Sequence, residues 1–114
     1  MLPAEGFLLR IFIGESDRYK GQSLYEWIVH QARDQGLAGA TVLRGIEGFG
    51  AHSRLHTTHI LRLSEDLPIV IEIVDTIDKI ESFLSIIDPA IQEGLVTLEK
   101  VQVRWYRGGK DATK

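Results

Sequence analysis

Phe7-Leu8-Leu9-Arg10-Ile11-Phe12-Ile13 is apolar at six of its seven positions, as a central strand covered on both faces must be. Its counterpart in the second half of the chain is Ile69-Val70-Ile71-Glu72-Ile73-Val74. The polar stretch from Gly14 to Gly21 ends the first run. Ser23 then precedes Glu26 at the spacing of a capping box, in which each side chain satisfies one free backbone N–H at a helix start. Leu24, Trp27, Ile28 and Ala32 follow at helical spacing, and Gly36 supplies the stop. This spacing predicts the first helix.

Beyond Gly36 a second strand is expected near Ala40–Ile46. After the Ile69–Val74 strand, Asp75 or Thr76 is placed to cap a second helix. Its apolar stripe is Ile77, Ile80, Leu84 and Ile87, and Pro89 ends it. Leu95 to Tyr106 reads as the last strand, and the polar residues 107–114 as a flexible tail. The order is strand–helix–strand written twice. Right-handed crossovers then put the first and third strands in the centre of one four-stranded antiparallel sheet with both helices on one face. The predicted class is α+β, a ferredoxin-like βαββαβ fold filling residues 1–114 as one domain. The two most apolar strands are the two that this topology makes central.

Strand alternation puts Leu8, Arg10 and Phe12 on one face of the sheet, and Val70, Glu72 and Val74 on one face of the neighbouring strand. Antiparallel pairing brings Arg10 close to Glu72 on the side without helices, where Lys100, Gln102 and Arg104 are expected to join from the last strand. An apolar and charged face with no helix over it points to a subunit interface or a ligand cleft. The alternative is a solvated face with a surface ion pair.

The 114 residues carry a net charge of −3, with 25% charged and 44% apolar residues. This mild acidity gives no support for broad nucleic-acid binding. Phe12 and Trp105 are the aromatics available for stacking bases, but they lack the aromatic–glycine pattern and basic surroundings of sheet-based RNA readers. With no cysteine in the chain, disulfides, thiolate metal sites and cysteine catalysis are excluded. No apolar run reaches about 18 residues, and no basic-then-apolar signal opens the chain; a cytoplasmic protein, not embedded in a membrane, is expected. A domain of this size hides roughly 60–70% of its unfolded surface, so it gains from oligomerising.

His52, His56 and His59 would share one face of a helix and could hold a metal there. The run Leu55-His56-Thr57-Thr58-His59-Ile60-Leu61-Arg62-Leu63 favours a strand instead, which sends His56 and His59 to opposite faces. They read as loop and hairpin histidines, and His30 as an exposed helix residue. Glu15 and Asp17 at the end of the first strand are the candidate carboxylates for acid–base work, beside Arg18 and Lys20; the cluster also has the look of a solvated turn. No catalytic triad spacing, P-loop or dinucleotide fingerprint is present. The enzyme reading has no motif behind it, and no resident cofactor or metal is expected.

Gly36-Leu37-Ala38-Gly39-Ala40-Thr41-Val42, the Gly48-Phe49-Gly50 element with the long loop behind it, and Ile71-Glu72-Ile73-Val74 together resemble the PII signalling family, in particular its uncharacterised PII-like branch. The resemblance spans residues 6–106. It implies a homotrimer that binds adenine nucleotides in clefts between subunits. It also implies a mobile loop, here residues 47–66, acting on a membrane transporter, a channel or an enzyme. Carried across by position, Thr41, Gly48, Phe49, Gly50, Glu72 and Val74 fall at the cleft, with Arg104 as a neighbouring cation. The chain departs from the family at Glu47 and Ala51, where basic residues are usual. The phosphate loop after the second helix is replaced by Asp88-Pro89-Ala90-Ile91-Gln92-Glu93-Gly94, and of the paired arginines only Arg104 and Arg107 are nearby. These changes favour a ligand with few phosphates. The runner-up is the divalent-cation-tolerance family, also trimeric and of the same fold, which would give His52, His56 and His59 a metal role; the glycine pattern fits it less well.

Overall fold

A computed structural model describes residues 4–48, 56–57 and 66–108. Strand β1 (Glu5–Gly14) is followed by helix α1 (Leu24–Asp34) and strand β2 (Thr41–Arg44). Strand β3 (Pro68–Asp75), helix α2 (Ile77–Ile87) and strand β4 (Leu95–Gln102) complete the order. The four strands form one antiparallel sheet in the order β2-β3-β1-β4. This is the expected α+β ferredoxin-like arrangement, with the most apolar strands in the middle.

The core lies between one sheet face and the helices. Leu9, Ile11 and Ile13 of β1 pair with Ile73, Ile71 and Ile69 of β3. All six are buried, against Leu24, Ile28 and Ala32 of α1 and Ile80, Phe83 and Ile87 of α2. In α2 the buried stripe centres on Phe83, which the sequence reading passed over. Leu84 is only half-buried; both residues suit the helical repeat, and the packing of α2 on the sheet decides between them.

The opposite face carries Leu8, Arg10 and Phe12, paired with Val74, Glu72 and Val70. The contribution of β4 to it differs from expectation. Leu8 pairs with Glu99 and Arg10 with Thr97, whereas Lys100 and Gln102 pair with Phe7 and Glu5 and therefore point to the helix side. A one-residue difference in register exchanges the two faces of a strand. Glu99, not Lys100 or Gln102, joins the charged group.

Element ends follow their partners. Strand β4 stops at Gln102 rather than Tyr106, because Gln102 already faces Glu5, the first residue of β1. One more backbone bond, from the Val103 N–H to the Ala4 carbonyl, precedes the turn away from the sheet. Ser23 occupies the cap position of α1, yet its side chain makes no capping hydrogen bond. That end is tied by backbone instead: Ser23 pairs with Arg18 in a short hairpin, and the Leu24 N–H donates to the Asp17 carbonyl at 2.8 Å. At the other end Gly36 adopts φ +77°, a left-handed conformation that glycine takes without strain. Thr76 caps α2, accepting from the Lys79 N–H at 3.3 Å.

Asp75 has a different task. It is 3% exposed, and its carboxyl oxygens accept from the Ala38 N–H at 2.8 Å and the Thr76 N–H at 2.7 Å. It thereby ties the α1–β2 connection to the end of β3. Asp75→Ala should cost about 2–4 kcal/mol in urea unfolding, since both donors are left without their partner.

Candidate functional site

An open cleft of about 610 Å³ lies where the ends of β3, β1 and β4 meet the α1–β2 connection. Leu8, Val74, Val101 and Val103 give it an apolar floor. Thr41, Glu72 and Arg104 supply its polar side chains, and the backbone of Ala38, Gly39 and Ala40 forms one wall. Trp105 and Tyr106 stand at the rim. The Tyr106 hydroxyl donates to the Ala38 carbonyl at 2.9 Å, joining the segment after β4 to the opposite wall.

The electrostatics centre on Arg10. Its Nε donates to Glu72 Oε2 at 3.0 Å, and a terminal nitrogen donates to Glu99 Oε1 at 3.1 Å. The Glu72 hydrogen bond pushes the guanidinium above its ordinary pKa, against the desolvation that lowers it, and the charges of Glu72 and Glu99 add to the rise. Glu72 is thus oriented by Arg10 from below while facing the cleft. Arg104 has no ion pair among the described residues and is available to an anion.

Of the residues singled out from sequence, Thr41, Glu72, Val74 and Arg104 line this one cleft. Thr41 sits directly opposite Glu72 in the β2–β3 ladder. Gly48 lies elsewhere in the chain: it pairs with His56 and packs on Pro68, where a Cβ would come within 3.1 Å of the proline ring. Pro68 is four residues from Glu72, about 13 Å along an extended strand. Phe49 and Gly50 fall outside the described residues. Sequence reasoning weighed Trp105 only as a platform for nucleic-acid bases and quoted Ala38–Ala40 only within the family-like stretch; it assigned neither to the cleft and missed Tyr106 at the rim. The available signal was two aromatics following an amphipathic last strand.

His56 is extended in its short ladder with Gly48, while His52 and His59 fall outside the described residues. His30 is exposed on α1. Among the described residues no group of three His, Asp or Glu is placed to hold a metal ion. Phe12 pairs with Val70 and Leu95, at the other end of β1 from the cleft, so it makes no joint stacking surface with Trp105.

The fold is of PII-like architecture. The chain belongs to the DUF190 family, described as "Uncharacterized ACR, COG1993", whose model matches residues 6–103. It is 40% identical over 96 residues to a UPF0166 protein of Aquifex aeolicus (strain VF5), covering 84% of this chain and 90% of the relative. Among solved structures it is similar to CPII, a nitrogen regulatory PII-like protein from Thiomonas intermedia K12 bound to ADP, AMP and bicarbonate. That match has a TM-score of 0.67 and 19% identity, and covers 87% of this chain and 88% of the other. The divalent ion tolerance protein CutA1 from Ehrlichia chaffeensis matches with a TM-score of 0.53 and 11% identity, covering 90% and 85%. At these identities the two structures establish a shared fold.

The carboxylates around the end of β1 each have a partner, Asp17 within its own turn and Glu15 across to β2. Glu15 pairs with Arg44 at 3.4 Å, Asp17 accepts from the Gly14 N–H at 3.0 Å, and Asp66 accepts from the Ser16 N–H at 2.7 Å. Desolvation raises the Asp17 pKa above its ordinary 3.8; the Gly14 bond opposes this, and the charges of Asp66 and Glu93 reinforce it. A carboxyl with a raised native pKa holds its proton more tightly when folded. Stability is therefore greater with the proton bound, and declines as pH rises from the unfolded group's pKa through the raised native one. Asp17→Asn removes that decline and keeps an oxygen for Gly14. Urea unfolding at about pH 3.5 and about pH 7 should show the variant gaining on the wild type at the higher pH.

Proposed function

We propose that this chain is a small trimeric regulator that binds an adenine nucleotide with few phosphates. The convergence of Thr41, Glu72, Val74 and Arg104 on one cleft carries this reading. The apolar floor suits a flat base. The Thr41 hydroxyl and the Arg10-oriented Glu72 suit base or ribose hydroxyl and amino groups. The side chains lining the cleft include one cation, Arg104. A single guanidinium matches a monophosphate or a cyclic phosphate better than a triphosphate, which needs several charge-assisted bonds. The nucleotides named for CPII are of the same chemical class.

The trimer is supported by the helix-free face. Leu8, Phe12 and Val70 are only half-buried there, and Leu95 is exposed beside them. A sheet face of this composition gains from cover by another copy. Since Gly48 stands apart from the cleft within one chain, a neighbouring copy is also what would bring residues 48–50 to it. The 47–66 segment is then the element that meets a partner, a membrane transporter or channel or an enzyme. The protein binds and signals, and does not catalyse.

Calorimetric titration with ATP, ADP, AMP and cyclic AMP tests the ligand. AMP or cyclic AMP should bind at least as tightly as ATP, and Thr41→Val should weaken binding by about 2- to 10-fold, the weight of one neutral hydrogen bond. If no nucleotide binds below about 1 mM, near −4 kcal/mol, the assignment fails. Light scattering should report three chains per particle, and a monomer would remove the inter-subunit cleft. Zinc, copper and nickel should bind weakly at most; a stoichiometric submicromolar site lost in His56→Ala would favour the divalent-cation reading.

A further inference from the structure

We infer that Trp105 is the residue on which the planar base of the cleft's ligand stacks, an assignment that rests on reading the cleft as a nucleotide site. Trp105 lines the cleft yet is 76% exposed. An indole gains much from being covered, and a ring left open beside an apolar floor offers that gain to a flat ligand.

The segment that carries it is tied down on both sides. On one side of it the Val103 N–H is bonded to the Ala4 carbonyl, and on the other the Tyr106 hydroxyl is bonded to the Ala38 carbonyl at 2.9 Å. An aromatic side chain presented from a pinned segment loses little freedom on binding. The Arg107 guanidinium lies over one face of the indole, 4.5 Å from the ring centroid. A base on the opposite face would complete a guanidinium–indole–base stack, with Arg104 nearby for a phosphate. Val74, Val101 and Val103 would meet the base edge.

The other tryptophan is unsuited to this role. Trp27 packs edge-on against Tyr19, with centroids 4.6 Å apart, as part of the α1 packing. Phe12 is too far along the sheet to act as a second platform for a longer strand, so the geometry serves one base at a time.

Trp27→Phe leaves Trp105 as the sole indole and makes its emission a reporter. Titrating that variant with AMP should change Trp105 emission along the same curve that calorimetry gives. Trp105→Ala should weaken AMP binding by about tenfold or more, the size of one base–aromatic stack, while Trp105→Phe keeps most of the affinity. Light scattering should give all three variants the wild-type mass. Wild-type AMP affinity in Trp105→Ala, or unchanged emission on saturation, overturns the stacking role and leaves the nucleotide reading standing. A changed mass in Trp105→Ala would make Trp105 an assembly contact and likewise overturn it. No AMP binding by the wild-type protein would end both.

Discussion

The antiparallel pairing of β1 with β3, running from Phe7 opposite Asp75 to Gly14 opposite Pro68, is the constraint on which the remaining structure depends. Its register puts Leu9, Ile11 and Ile13 beside Ile73, Ile71 and Ile69, and so makes a continuous apolar surface for both helices. The same register sets Arg10 against Glu72 on the other side. A slip of one residue would turn one of the two strands over, putting its charged residue under the helices and its apolar set in the open, which burial energetics forbid. The core and the charged group opposite are two consequences of one alignment.

The cleft is assembled from four parts of the chain that are distant in sequence, Leu8 of β1 being one of them. The α1–β2 connection supplies its wall, the end of β3 supplies Glu72 and Val74, and the end of β4 with its continuation supplies Val101 to Tyr106. Two side chains hold these parts together. Asp75, buried at the end of β3, accepts from Ala38 N–H, and Tyr106 donates to the carbonyl of the same residue. Ala38 is thus fixed from both its donor and its acceptor, and Lys79 binds the nearby Gly36 carbonyl at 2.9 Å. The wall is set by ordinary hydrogen bonds, of which the one to Asp75 is part-buried and the other two are exposed.

Fold and function separate here, as they commonly do. The architecture is shared with proteins described in quite different terms, so its chemistry must come from the side chains at the cleft. Among the described residues these include the Arg104 guanidinium, the Thr41 and Tyr106 hydroxyls, the Glu72 carboxylate held by Arg10, and aromatic rings at the rim.

Strand and helix order, and the central place of β1 and β3, were legible in the sequence because apolar runs and helical spacing are local properties. The Arg10–Glu72 pair was legible too, since alternation along two neighbouring strands determines it once they are paired. The placement of Lys100 and Gln102 could not be read this way. Strand β4 is apolar on alternate residues only in part, so its register came from the ladder with β1 and brought Glu99 to the face instead. The capping of α1 also went to tertiary context, because the hairpin before it supplies backbone partners that a capping box would have supplied. For the cleft, composition and resemblance pointed to Thr41, Glu72 and Val74 through the strands that carry them. Trp105 and Tyr106 gained their position only when β4 ran out of partner at Glu5 and turned toward Ala38. Periodicity determined what each segment becomes; the pairing of segments distant along the chain decided which side chains meet, because that depends on register and strand length rather than on any local pattern.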